Sequence, residues 1–198
     1  MYCYLTGKLI EKTPIRVVLE TGGIGYQLLV PVSTSGVLPA LGENIRLLTE
    51  FVVREDSQTL FGFATEEERQ MFRLLLSVSG IGPKLAITVL SGKLIADLKR
   101  SIVNGDLVSL TGIPGIGKKT AERIIVELRE KVVLDERQKQ TFVSQGMDES
   151  LIEDSVRALI ELGYRKQNAK EAVGKVLRQS QDKSLTASEI IRASLKYV

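Results

Sequence analysis

Histidine is missing from this chain of 198 residues. With it go Ser-His-Asp triads, imidazole acid/base catalysis and His-ligated zinc. Cysteine occurs once, as Cys3. A single thiol excludes an intramolecular disulfide framework and a four-cysteine zinc site, and it fits a reducing cytosol. No apolar run approaches the roughly 20 residues that span a bilayer. The opening stretch MYCYLTGKLIEKT alternates and carries charge early, so it does not read as a signal peptide. These absences lead to the expectation of a cytoplasmic protein that uses no membrane and no cofactor. Any enzyme built from this sequence has only carboxylates, lysines or a bound divalent ion to work with.

What is present is an ordinary globular composition, 43% hydrophobic, with a net charge of +3 that is spread unevenly. Residues 1–63 hold five Lys/Arg and six Asp/Glu, residues 64–142 thirteen and ten, and residues 143–198 nine and eight. The positive excess sits in the middle third, where a polyanion would bind.

Residues 1–63 read as β structure. Runs at Tyr4–Ile10, Ile15–Glu20, Tyr26–Val30, Ile45–Arg54 and Thr59–Phe63 are separated by turn signals, among them the Pro31–Gly42 segment and Glu55-Asp56-Ser57. Five short strands suggest a small closed barrel of OB-like or SH3-like type. The texture changes at Thr65, which forms a capping-box pattern with Glu68. Residues 64–133 then read as helical, broken at Gly80–Pro83, Ser91-Gly92, Asn104-Gly105 and Pro114–Gly117. Residues 134–149 are polar and weakly periodic, and read as a flexible linker. Residues 150–198 read as three short helices, the last opened by a second capping box, Thr186 with Glu189. The fold class is therefore α+β in three domains.

The helical middle contains a duplication. SGIGPKLAITVL (Ser79–Leu90) aligns with PGIGKKTAERII (Pro114–Ile125), with Gly80 and Gly115 35 residues apart. Gly80-Ile81-Gly82 matches Gly115-Ile116-Gly117, and Lys84 matches Lys119. Each glycine pair is expected to supply positive φ and a close backbone approach, and each isoleucine to plug the core. The turn leads straight into a helix, whose free amides and positive dipole end form a nest for a phosphate without reading a base. Lys84, Lys118, Lys119 and Arg123 cluster in sequence around the turns. Thr120 either offers a hydroxyl at the second helix start or caps it. The pattern resembles the helix-hairpin-helix DNA-binding motif, and two copies in phase form a tandem.

A β-barrel, a tandem helix-hairpin-helix, a polar linker and a three-helix tail, in this order, resemble the RuvA family of Holliday junction branch-migration proteins. The resemblance is carried by FVVREDSQTLFGF (Phe51–Phe63), SGIGPKLA, TGIPGIGKKTAERIIVEL (Thr111–Leu128) and ALIELGYRKQNAKEAV (Ala158–Val173). It implies an OB-like barrel and a tail resembling a ubiquitin-associated bundle. It also implies tetramers, sometimes paired as octamers, that hold a four-way junction open for recombination and DNA repair. The implied partner is the hexameric ATPase RuvB, recruited by the tail; no ATPase motif occurs in this chain.

Three features keep alternatives. Glu55-Asp56, with Arg54 beside them, match the family's acidic pin, where carboxylates repel the crossover phosphates. On residue type alone they read as a solvated hairpin turn, or as a weak metal site for a nuclease. Leu159, Leu162 and Tyr164 run into a glycine turn and are either a partner surface or core. The whole chain also admits a structure-specific nuclease or lyase that docks through the hairpins, or a scaffold that binds only proteins.

Overall fold

In the computed structural model, which describes residues 2–143, 149–179 and 185–197, the alternating N-terminal runs become one closed barrel. Its strands are β1 (Tyr4–Lys12), β2 (Arg16–Thr21), β3 (Ile24–Leu29), β4 (Asn44–Val53) and β5 (Gln58–Phe63), in the order β1-β2-β3-β5-β4. β5 lies between β3 and β4, so the barrel is an OB-like Greek key rather than a meander. β1 serves both sides, and Lys8 pairs with Asn44 of β4 and Glu20 of β2. A bulge between Leu9 and Glu11 bends the strand, as closure of so few strands requires. Two parallel pairs, Leu28 with Leu60 and Leu29 with Phe61, close the seam. Leu5, Leu9, Val17, Leu19, Leu28 and Leu47 fill the interior.

The Pro31–Gly42 segment, expected to be only a turn, contains a short helix, α1 (Val32–Val37). Its VSTSG core has poor helix propensity, so the sequence gives no helical signal. Tertiary hydrogen bonds hold it instead. Ser35 Oγ donates to the Thr13 carbonyl at 2.8 Å. Ser33 Oγ and Thr34 Oγ1 donate to the Glu68 carboxylate at 2.5 and 2.6 Å.

Glu68 belongs to α2 (Glu66–Leu76), and the expected capping box is formed. The Glu68 amide donates to Thr65 Oγ1 at 3.2 Å. Its carboxylate also accepts from the amides of Ala64 at 3.0 Å and Thr65 at 3.4 Å. The neighbouring acids pair with buried cations, Glu66 with Arg69 and Glu67 with Lys99. Phe72 stacks against Phe61 and Phe63 of β5, both at 5.0 Å between ring centroids. The barrel and the helices thus share one core.

Helices α3 (Pro83–Gly92), α4 (Ile95–Asn104), α5 (Leu107–Thr111) and α6 (Lys118–Val143) follow, with breaks near the expected positions except that Ser91 and Gly92 close α3 and the chain breaks at Lys93-Leu94 instead. The linker expectation needs correction, because α6 runs on through Val143. The segment LDERQKQTFV is polar but holds no glycine or proline, so nothing in it stops a helix. The remainder of the expected linker up to residue 148 lies outside the described residues.

The chain divides into two compact units, 1–133 and 134–198. In the second, α7 (Glu149–Glu161), α8 (Lys166–Gln179) and α9 (Ala187–Ser194) enclose a small core of Ile152, Val156, Leu159, Ala169, Val173, Leu177 and Ile190. Glu189 reaches back to the Thr186 amide at 2.9 Å, opening α9 as expected. Among the described residues no helix is long and apolar enough to cross a membrane.

Glu68 satisfies buried donors as well as a helix cap. Glu68→Ala is expected to destabilise the first unit by roughly 2–4 kcal/mol, the sum of a lost cap and stranded hydroxyls. Urea unfolding of the variant against the parent chain measures it, and a loss within error would show that the network is not needed.

Candidate nucleic-acid interface

Each sequence repeat becomes a helix–turn–helix hairpin. The first runs from α2 through residues 77–82 into α3, and the second from α5 through residues 112–117 into α6. The turns are built alike. The Ile81 amide donates to the Val78 carbonyl at 3.1 Å, and the Ile116 amide to the Ile113 carbonyl at 3.0 Å. Ile81 and Ile116 are buried in the common core, as expected, and hold the turns rigid.

The glycines divide into two kinds, which corrects the expectation that all four supply positive φ. Gly80 and Gly115 do, at +91° and +85°. Gly82 has φ −89° and extended backbone, and Gly117 is not in the left-handed region either. Nor does close packing explain Gly117. A Cβ built there meets nothing within 4 Å, whereas one built on Gly115 lies 2.9 Å from Leu85 Cδ1. The space beside Gly117 is open to whatever approaches the turn from outside.

Free amides line that side. In α3 the first amide to find a backbone acceptor is that of Ala86, on the Gly82 carbonyl at 2.9 Å; in α6 it is that of Ala121, on the Gly117 carbonyl at 2.9 Å. The amides of Lys84 and Leu85 in the first hairpin have no backbone acceptor among the described residues, nor have those of Lys118, Lys119 and Thr120 in the second. Pro83 at the first helical position removes one donor from the first hairpin. Thr120 is the third residue of α6 and so does not cap it.

Side chains distant in sequence meet at the first turn. Arg123 reaches across from α6, and its Nη1 donates to the Ser79 carbonyl at 3.2 Å. A Cβ on Gly80 would lie 3.5 Å from the same atom. Arg54, on the turn between β4 and β5, places Nη2 3.6 Å from a Cβ on Gly82. The sequence places Arg54 beside the acidic turn and carries no signal for this approach, which depends on how the barrel packs against α2 and α3. Lys84, Lys118 and Lys119 project into solvent nearby in the chain.

The acidic turn is closed by the Arg54 amide donating to the Ser57 carbonyl at 2.8 Å. Glu55 and Asp56 are exposed at its tip, and Ser57 Oγ donates to Asp56 Oδ1 at 3.2 Å. Among the described residues no group of three or more His, Cys, Asp or Glu side chains gathers to hold a metal ion. The turn therefore presents two carboxylates without the further ligands a magnesium site recruits.

Family models match almost all of this architecture. Residues 1–62 match the RuvA N-terminal domain, 72–130 a SAM-like helix-hairpin-helix tandem, and 150–198 the RuvA C-terminal domain. A relative from Chlorobaculum parvum is 44% identical over 98% of this chain and 97% of its own length. One from Delftia acidovorans is 45% identical over 87% of this chain and 88% of its own length, and one from Pseudomonas savastanoi is 43% identical over 97% and 96%. All three are named Holliday junction branch migration complex subunit RuvA. The chain belongs to the RuvA family.

The three-helix unit that matches the family's C-terminal domain separates the residues singled out in the tail. Leu159 is fully buried in its core, which corrects its assignment to a partner surface. Leu162 is 63% exposed and Tyr164 is exposed beside it across Gly163, whose φ of +99° turns the chain sharply after α7. Only these two remain available to a partner.

The contrast between the glycines separates fold from binding. Gly115→Ala is expected to cost roughly 1–3 kcal/mol in thermal or urea unfolding, from strained backbone and the clash with Leu85. Gly117→Asp keeps a good helix N-cap and is expected to leave stability within about 1 kcal/mol while sharply weakening DNA binding, because its carboxylate occupies the nest. Unchanged DNA affinity in a folded Gly117→Asp protein would remove the nest from the interface.

Proposed function

We propose that this chain is a non-catalytic DNA-binding subunit that recognises four-way junctions, keeps them open and serves a separate hexameric ATPase of the RuvB type in branch migration. The observation that carries the reading is an acidic turn standing beside a hairpin suited to hold backbone phosphate, with Arg54 between them. The hairpins supply sequence-tolerant affinity for each duplex arm through amides, Lys84, Lys118, Lys119 and Arg123. Glu55 and Asp56 supply the selectivity. Their charge repels phosphates that crowd the centre of a stacked junction, and favours an arrangement in which the arms splay apart.

One copy of the turn cannot surround a four-way centre. The proposed assembly is therefore a tetramer, with one subunit per arm and four acidic turns at the crossover, and a second tetramer can cover the opposite face. The C-terminal unit is proposed to recruit the motor through the exposed pair Leu162 and Tyr164. The relatives' name, a branch migration complex subunit, supports a division of labour in which the ATPase lies on another chain.

Gel-shift titration of a four-way junction against a linear duplex of matched arm sequence tests the reading. The junction is expected to bind more tightly, and both affinities to fall steeply with salt as counterions are released. Equal affinities would overturn it. Glu55→Gln with Asp56→Asn is expected to leave junction affinity unchanged or higher while reducing the preference for junction over duplex. A large loss of junction binding in that double variant would contradict the repulsive role of the turn.

A further inference from the structure

The two hairpins repeat in sequence but not in surroundings. The second turn is open, keeps an amide at its first helical position and carries Lys118 and Lys119 on its own helix. The first lacks that amide because of Pro83, and two guanidinium groups from elsewhere lean on its glycines. Arg123 has spent one N–H on the Ser79 carbonyl. Arg54 has spent none. Arg16, Arg69, Arg73 and Arg100 are each paired with a carboxylate. Arg54 has Glu55 and Asp56 as its next neighbours in the chain, yet it forms no ion pair or side-chain hydrogen bond among the described residues. Its guanidinium is turned instead to Gly82, with its donors free.

We infer that the Arg54 side chain, although its backbone closes the acidic turn, serves the first hairpin as a phosphate-binding group, and that it fixes the bound phosphate nearest that turn. This deepens the backbone-binding reading and rests on it. An arginine fork takes two phosphate oxygens at once, which replaces the donor lost at Pro83 and orients the phosphate as a lysine point charge does not. Adjacent Cα atoms are about 3.8 Å apart, so attraction at Arg54 and repulsion at Glu55 act on neighbouring points of the DNA backbone. Arg54 thereby sets where a held strand begins to be pushed away. The second nest, with no guanidinium on its glycines, has no such role.

The test uses the full-length chain with Arg54→Gln and Arg54→Lys, titrated against linear duplex and four-way junction over a salt series. Arg54 is exposed and unpaired, so both variants are expected to melt as the parent does. Arg54→Gln is expected to weaken binding to both DNAs roughly tenfold and to lower the salt slope by about one for each Arg54 engaged. Arg54→Lys is expected to restore the slope but not the affinity, since it returns the charge without the fork. Unchanged affinity and slope in Arg54→Gln would overturn the inference, as would full recovery of affinity by lysine. A parent chain without junction preference would sink the junction reading alone, because the Arg54 effect is read on duplex as well.

Discussion

One buried carboxylate holds the working parts of this molecule in register. Glu68 accepts hydrogen bonds from α1 of the barrel, from the amide that leaves β5 and from its own helix cap. β5 ends at Phe63 and α2 starts at Glu66, so the strand that carries the acidic turn at one end leads into the first hairpin at the other. Any rotation of α2 about that short connection would swing the hairpin away from the turn. Burying a carboxylate is expensive, and its hydrogen bonds, worth about 1.5–3 kcal/mol each with a charged partner, largely offset the desolvation. The gain is therefore mainly directional. The stack of Phe72 on Phe61 and Phe63 supplies adhesion between barrel and helices, and the Glu68 network restricts the angle at which they adhere.

Much of this was legible in the sequence because it rests on local rules. Period-two runs, the Thr65 and Glu68 capping pair and the 35-residue repeat each encode a structure that short-range physics enforces. The buried plugs Ile81 and Ile116 follow from the same pattern. Three of the failures share one cause, which is that the deciding partner lies far along the chain. α1 has no helical propensity and exists because Glu68 and the Thr13 carbonyl bind its hydroxyls. Arg54 was read with its acidic neighbours, while its guanidinium points to Gly82. Leu159, in the last turn of α7, and Leu162, just past its end, are three residues apart, and only the packing of α8 and α9 shows that one is core and the other surface. The α6 extension has a different cause: polar composition reads as a flexible linker, although no residue of LDERQKQTFV breaks a helix.

The glycines carry the most information about the interface. Gly80 and Gly115 are required by the turn itself, since left-handed backbone strains any other residue. Among the described residues nothing lies within 4 Å of a Cβ on Gly117, and a Cβ on Gly82 meets only the end of Arg54 at 3.6 Å. At a turn that leads into free helix amides, a residue whose smallness the fold does not use leaves room for something outside the fold to come close. That distinction separates a hairpin that only packs from one that also binds, and the repeat alone does not draw it.

Duplication gives two nests of the same shape, and the barrel then makes them unequal. Pro83 stiffens the first helix start but costs a donor, a loss that Arg54 and Arg123 are placed to make good with forks. The second nest keeps its amides and carries Lys118 and Lys119, point charges that would hold a phosphate less directionally. Neither nest reads a base, so DNA advancing past the protein presents the same backbone at every step. A subunit that must hold a junction while its arms move needs this combination. On the proposed reading, the contact at Arg54 would be geometrically strict, so that repulsion from Glu55 and Asp56 would fall at a constant place. The second nest, with lysines and no guanidinium on its glycines, would be the more tolerant contact, so that the next phosphate could replace the last without rearranging the fold.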